Sequence, residues 1–159
     1  MAPTNEEINK TLKISIMIWI AMLSSLLIAP FVFYFFKDKI QVRTDIPIEL
    51  LRTVFYALSV MEFVIAYFLR RFVLKANSEK YNPVLQIGKN PNSPVLIKYT
   101  KAVIVSLGIV ECFGIYGFIL FLLGDSFIIF CSFIAISIAG MLFFRPNQKE
   151  LESVLKQDL

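Results

Sequence analysis

Apolar residues run along the chain in four long blocks, at residues 12–36, 48–73, 95–123 and 127–144, and polar residues gather between them. None of the blocks shows the apolar–polar alternation that a barrel strand of about ten residues requires, so the predicted spanning form is helical. A helix rises about 1.5 Å per residue, and roughly 20 residues cross a hydrocarbon core of about 30 Å. The pattern predicts an all-α polytopic membrane protein: four transmembrane helices in two antiparallel hairpins, one domain over residues 1–159.

Local signals mark the ends of these elements. Thr4 and Glu7 form a T-x-x-E capping box ahead of the first helix, Asp45 with Pro47 opens the second, and Ser93 with Pro94 opens the third. The first block is too long for the core of a cleaved signal peptide and is read as a retained helix. Pro30 bends it, and Ser24 and Ser25 are at hand for the freed carbonyls. Residues 74–94 hold three X-Pro steps and a glycine, which cannot continue either neighbouring helix. Gly124-Asp125-Ser126 is so short a connection that spans three and four must form a tight hairpin. The tail, 145–159, sets Leu151, Val154 and Leu155 on one face of a short amphipathic helix, suited to the bilayer surface or to a partner.

Composition agrees with this reading, since 57% of the 159 residues are hydrophobic and the mean hydropathy is +0.71. The basic residues add an orientation. Twelve Lys and Arg, Arg70, Arg71, Lys98 and Arg145 among them, flank one side of the spans; Lys37, Lys39, Arg43 and Arg52 flank the other. By the positive-inside rule both termini are cytoplasmic, in a multi-pass protein of a bacterial-type inner membrane. The net charge of +4 and a pI near 9.1 follow from this bias and suit anionic lipid. The charges form no single stripe for nucleic acid.

No histidine is present, and Cys112 and Cys131 both fall inside spans, where they read as small buried hydrophobes. No metal or cofactor ligand set is expected. The chain also lacks a phosphate-binding glycine loop and a nucleophile elbow, so no catalytic activity of its own is expected.

Two carboxyl groups break the apolar blocks. Glu62 lies ten residues from Arg52 and eight from Arg70, near the middle of span two, and Glu111 is predicted at a similar depth in span three. A charge at that depth costs about 2.5–3.5 kcal/mol on insertion scales. With no Lys or Arg available within the spans to pair with either one, each carboxyl must be neutral, hydrated, mutually hydrogen-bonded or paired with another chain. At about 100° per residue, Glu111 shares a face with Gly108 and Gly114, and Glu62 with Ser59 and Ala66, so each sits in a notch of small residues. Ser132, Ala135 and Ala139 offer a matching small face on span four. Tyr67 and Tyr116 fall some 140° around from their glutamates and read as packing residues. The notches serve either as helix contacts bridged by hydrogen bonds or as ion-handling sites.

Glu111, Ile115, Tyr116, Gly117 and Phe118 reproduce E-x-x-x-I-Y-G-[LF]. Over roughly ten residues this stretch resembles the outer helix of the ion-carrying proteolipid, subunit c, of rotary ATP synthases and ATPases. The resemblance implies that Glu111 takes up and releases the translocated proton or sodium ion, with Tyr116 and Gly117 as the motif residues after it and Glu62 in support. It further implies a proteolipid-like subunit of a larger membrane assembly, as a homo-oligomer or a hetero-complex with other membrane subunits. Two alternatives stand beside it. One is a non-catalytic accessory or scaffold subunit whose loop and tail recruit a partner; the other is a small oligomeric proton-coupled transporter.

Overall fold

The computed structural model describes residues 4–40, 47–75 and 94–157, with residues 36–40 and 157 described by backbone alone. These residues form five helices: α1 (Asn5–Ile40), α2 (Ile48–Lys75), α3 (Pro94–Leu122), α4 (Phe127–Phe143) and α5 (Gln148–Gln157). The expected helix starts at Asp45 and Ser93, loop residues 76–93, and the side chains of Lys37, Lys39 and Arg43 lie outside that description.

Helix ends follow the sequence signals. The Thr4 amide donates to Glu7 Oε2 at 2.9 Å and the Glu7 amide donates to Thr4 Oγ1 at 3.3 Å, the reciprocal pairing of a capping box. This cap starts α1 seven residues ahead of the apolar block, and the helix continues through Pro30. The Ser25 hydroxyl donates to the Met22 carbonyl at 2.7 Å, three residues back, and not to the Leu26 carbonyl that Pro30 leaves without a donor. The α3–α4 turn is closed by backbone bonds from Asp125 to the Leu120 carbonyl (3.0 Å) and from Gly124 to the Phe121 carbonyl (3.2 Å). This Schellman pattern requires the positive φ of 99° that Gly124 adopts. Asp125 Oδ1 then accepts from the Ser126 amide, and Ser126 caps α4 through the Ile129 amide.

Two segments are long and apolar enough to cross a membrane, Asn5–Phe35 and α3. The α4 and α5 pair, bent by 48° between its members, makes a third when taken as one span. α2 carries Arg52, Glu62, Arg70 and Arg71 along its length. The protein is therefore all-helical over its described residues, with two to three helices of membrane-spanning length and composition.

α3 is the centre of the bundle. It packs against α1, α2, α4 and α5, and α1 also lies against α4. The close approach depends on residues without bulk. A Cβ placed on Gly117 would meet Phe133 Cβ at 2.6 Å and the Phe130 carbonyl at 3.2 Å; one on Gly140 would meet Val110 at 2.6 Å. One on Gly114 would meet Leu26 of α1 at 2.8 Å. Ser137 closes the same seam by donating to the Val110 carbonyl at 2.8 Å. The face of α4 that packs is Phe130, Phe133, Ile134, Ser137, Gly140 and Met141, while Ala135 and Ala139 are exposed. Ala135 and Ala139 of the expected small face thus point away from the bundle, while Ser132 is half-buried and hydrogen-bonded to Tyr56 of α2 at 2.7 Å, and Phe130 and Phe133 fill the space opposite Gly117.

This packing separates two glycines that sequence treats alike. Gly117→Ala should destabilise the protein by roughly 1–3 kcal/mol through overpacking against a rigid neighbour. Gly108→Ala, with nothing within 4 Å of the new methyl, should be neutral or slightly stabilising. Thermal unfolding in mild detergent, followed by fluorescence-detected size exclusion, measures both.

Candidate functional site

Two ionic clusters lie at opposite ends of the bundle. At one end, the Arg52 guanidinium makes a bidentate pair with Asp125 (2.7 and 3.0 Å), joining α2 to the α3–α4 turn. At the other, buried Arg70 donates to both oxygens of Glu150 on α5 at 3.0 and 2.6 Å, to the Phe144 carbonyl at 2.6 Å and to Ser106 on α3 at 3.3 Å. Nearby, Tyr99 accepts from the Asn147 amide at 3.0 Å, and Trp19 of α1 donates to the Met141 carbonyl at 2.8 Å. Along α2 the step from Arg52 to Arg70 is roughly 27 Å, and along α3 that from Ser106 to Asp125 is roughly 28 Å. The layer between is apolar except for hydroxyls, the two free cysteines and the two carboxyls.

Glu62 stands near the middle of that layer. It takes a short hydrogen bond from the Tyr116 hydroxyl through Oε1, and its Oε2 is buried with no hydrogen-bond partner among the described residues. Phe55 stacks on the Tyr116 ring at 4.8 Å and holds the phenol in place. Tyr116 lies on the face of α3 that meets α2, about 140° around from Glu111. That rotation, which excludes a Tyr116–Glu111 contact within α3, is what delivers the hydroxyl to Glu62. Tyr116 is therefore a direct partner of a carboxyl and not a packing residue alone.

Glu111 faces the other way. It is half-buried and accepts from Ser25 of α1 at 3.3 Å. It sits five residues from Ser106 and fourteen from Asp125, so it is displaced from the middle toward the Arg70 cluster. The two carboxyls are not at one depth, because α2 and α3 run antiparallel and Glu62 is level with Tyr116, about 7 Å along α3 from Glu111. No hydrogen bond joins them among the described residues.

The notch residues divide. Gly114 and Gly117 are helix contacts, whereas Gly108 faces open space. Ser59 is buried, donates to the Phe55 carbonyl at 2.8 Å, and lines an apolar cavity of about 240 Å³ with Tyr56, Phe63 and Phe113. Ala66 is fully buried and lets α2 approach α3. Among the described residues no three His, Cys, Asp or Glu side chains come together as a metal site. Cys112 and Cys131 are free thiols.

The sequence pattern set Arg70 among the charges flanking the spans and gave Glu150 no role. The signal was that Arg70 falls one turn beyond Ala66 on the buried face of α2. It likewise left the apolar face of α5 to the bilayer or a partner, but Leu151, Val154 and Leu155 are buried in the chain's own core. No protein family, curated protein or solved structure matches the chain.

Because Arg70 is buried, removing its counter-charge leaves a cation with too few acceptors. Glu150→Gln should destabilise the fold by about 3 kcal/mol, near the low end for a broken buried pair since Glu150 is partly exposed. The exposed control Glu152→Gln should change stability by less than about 0.5 kcal/mol. Urea or thermal melts followed by the fluorescence of Trp19, the single tryptophan, read both.

Proposed function

We propose that the chain is a four-span integral membrane protein that handles protons through Glu62, with Glu111 in support, as a subunit of a larger membrane assembly. The observation that carries this reading is the Glu62 carboxyl itself. It sits midway between two ionic layers, is hydrogen-bonded on one oxygen by Tyr116, and is unmatched on the other. Intramembrane carboxyls without a cation are costly, and a purely structural role asks for every polar atom to be satisfied.

The separation of the ionic layers, roughly 27–28 Å, supports four spans, since it matches a hydrocarbon core of about 30 Å. On this scale α4 needs only its 17 residues, about 25 Å. The cluster holding Arg70 also gathers Trp19, Tyr99, Arg71 and Arg145 at the ends that the basic flanks mark as cytoplasmic, which supports both termini lying on that side.

The rotary part of the proteolipid resemblance has less support. Its motif residues have partners within this chain: Tyr116 meets Glu62, Gly117 meets Phe133, and α3 is the central helix instead of an outer one. The scaffold alternative loses its simplest docking element, because the apolar face of α5 is covered.

Proton flux into liposomes made with the purified protein tests the proposal. Glu62→Gln, nearly isosteric, should abolish flux, and Tyr116→Phe should slow it roughly tenfold, the worth of one hydrogen bond of about 1.4 kcal/mol. Glu111→Gln should have the smaller effect. Undiminished flux in Glu62→Gln, with the fold intact, would sink the reading in favour of a packing role for both carboxyls.

A further inference from the structure

Beside the Arg70 cluster lies a cavity of about 270 Å³, lined by Tyr67, Arg70, Arg71, Phe143, Arg145 and Glu150 among others. Three arginines and one glutamate line it, and that carboxylate is already held bidentately by Arg70. The cavity therefore carries two positive charges in excess. They belong to Arg71 and Arg145, neither of which has an ion-pair partner among the described residues. Both are positioned all the same. The Arg71 guanidinium lies 5.1 Å over the Tyr67 ring, and that of Arg145 lies 5.6 Å over the Trp19 ring. Stacking of this kind holds an arginine in place while leaving its N–H edge for an acceptor.

The rim is as informative as the floor. Phe143, which lines the cavity, is 61% exposed, and Phe68, against Tyr67 and on the apolar-layer side of Arg70, is 63% exposed. A site that is doubly cationic inside and aromatic on one side matches a ligand that is anionic at one end and apolar at the other. We infer that this cavity is a binding site for the phosphate headgroup of an anionic phospholipid, with Arg71 and Arg145 as its phosphate ligands. Each guanidinium can donate two parallel N–H bonds to phosphate oxygens. The acyl chains would run along the Phe68 and Phe143 faces. A free inorganic phosphate would use the same arginines and leave the aromatic rim bare, which is why the lipid is the occupant chosen. The inference rests on the chain being membrane-embedded and is independent of proton handling.

Trp19 gives the experiment its reporter, since the Arg145 guanidinium lies against its ring. The full chain is reconstituted in phosphatidylcholine vesicles containing a small fraction of lipid with brominated acyl chains, which quench tryptophan on contact. Brominated phosphatidylglycerol should quench Trp19 as though enriched roughly tenfold over brominated phosphatidylcholine, given attraction by two arginines. The Arg71→Gln/Arg145→Gln double variant should bring that ratio close to one. Lys149→Gln/Lys156→Gln, which removes the same charge from the exposed side of α5, should keep it. Equal quenching by both lipids in the unaltered protein would overturn the site while leaving embedding intact, and quenching by neither would overturn both. Loss of the preference in the α5 variant would reduce the effect to overall charge. Relief of the phosphatidylglycerol excess by millimolar inorganic phosphate at constant ionic strength would assign the cavity to a free anion instead.

Discussion

A guanidinium carried into an apolar bundle has to be met by acceptors from its own chain, and Arg70 is met on every side. Two oxygens come from Glu150, one from the Phe144 carbonyl, one from Ser106, and the Phe144 ring lies beneath it at 5.7 Å. These partners come from α3, from the end of α4 and from α5, so satisfying one side chain of α2 draws three other elements to one point. The bend between α4 and α5 follows. α5 cannot continue in line with α4 and also bring Glu150 to Arg70, and the 48° bend is what carries Leu151, Val154 and Leu155 into the core. A buried ion pair adds little net stability over an apolar substitute, but breaking one is expensive, which makes this cluster a constraint on register more than a source of strength.

The same logic sets the positions of the other polar groups. Arg52 and Asp125 fix the opposite end of α2 to the α3–α4 turn, and Asp125 can serve because Gly124 and Ser126 have already fixed its backbone. Between the two clusters, α1 and α4 approach α3 closely where one side of the contact is small. Gly117 receives Phe133, Gly114 receives Leu26, and Val110 enters the space beside Gly140. α3 becomes the central helix because it alone combines a long apolar run with small residues on more than one face.

The parts of this arrangement that depend on local chemistry were readable in the sequence. The capping box at Thr4, the opening of α3 at Pro94 and the tight turn at Gly124 each involve residues within a few positions of one another. Pairings between helices were not readable, for a definite reason. A helical wheel ranks neighbours on one helix, and on that measure Tyr116 and Glu111 are strangers; it says nothing of which helix Tyr116 faces. Depth failed for a similar cause. Counting from charged flanks placed Glu62 well, since Arg52 and Arg70 bracket it on one helix. Glu111 was counted from the start of α3, whose first three turns lie beyond the Arg70 cluster, and so was set too deep.

That difference in depth bears on how two carboxyls could act together. Glu111 shares a hydrogen bond with α1 and Glu62 with α3 through Tyr116, so neither holds the other, and between them along α3 lie one and a half turns occupied by Cys112, Phe113 and Gly114. Glu62 is the unbalanced member. If its carboxyl is neutral, the O–H on Oε2 has no acceptor; if it is ionised, Oε2 has no donor. In either state a group of ordinary size, a water or a proton carrier, would improve the match, and a fully satisfied Glu62 would leave nothing for such a group to do. α2 is also the helix best placed to admit one. Its long contact is with α3, while Val60, Met61, Val64 and Ile65 face outward, and the cavity beside Ser59 opens on the same side. Because α2 is pinned at both ends by the ionic clusters, its midpoint is the part least tied to its neighbours by charge, and the proposed exchange on Glu62 would take place there.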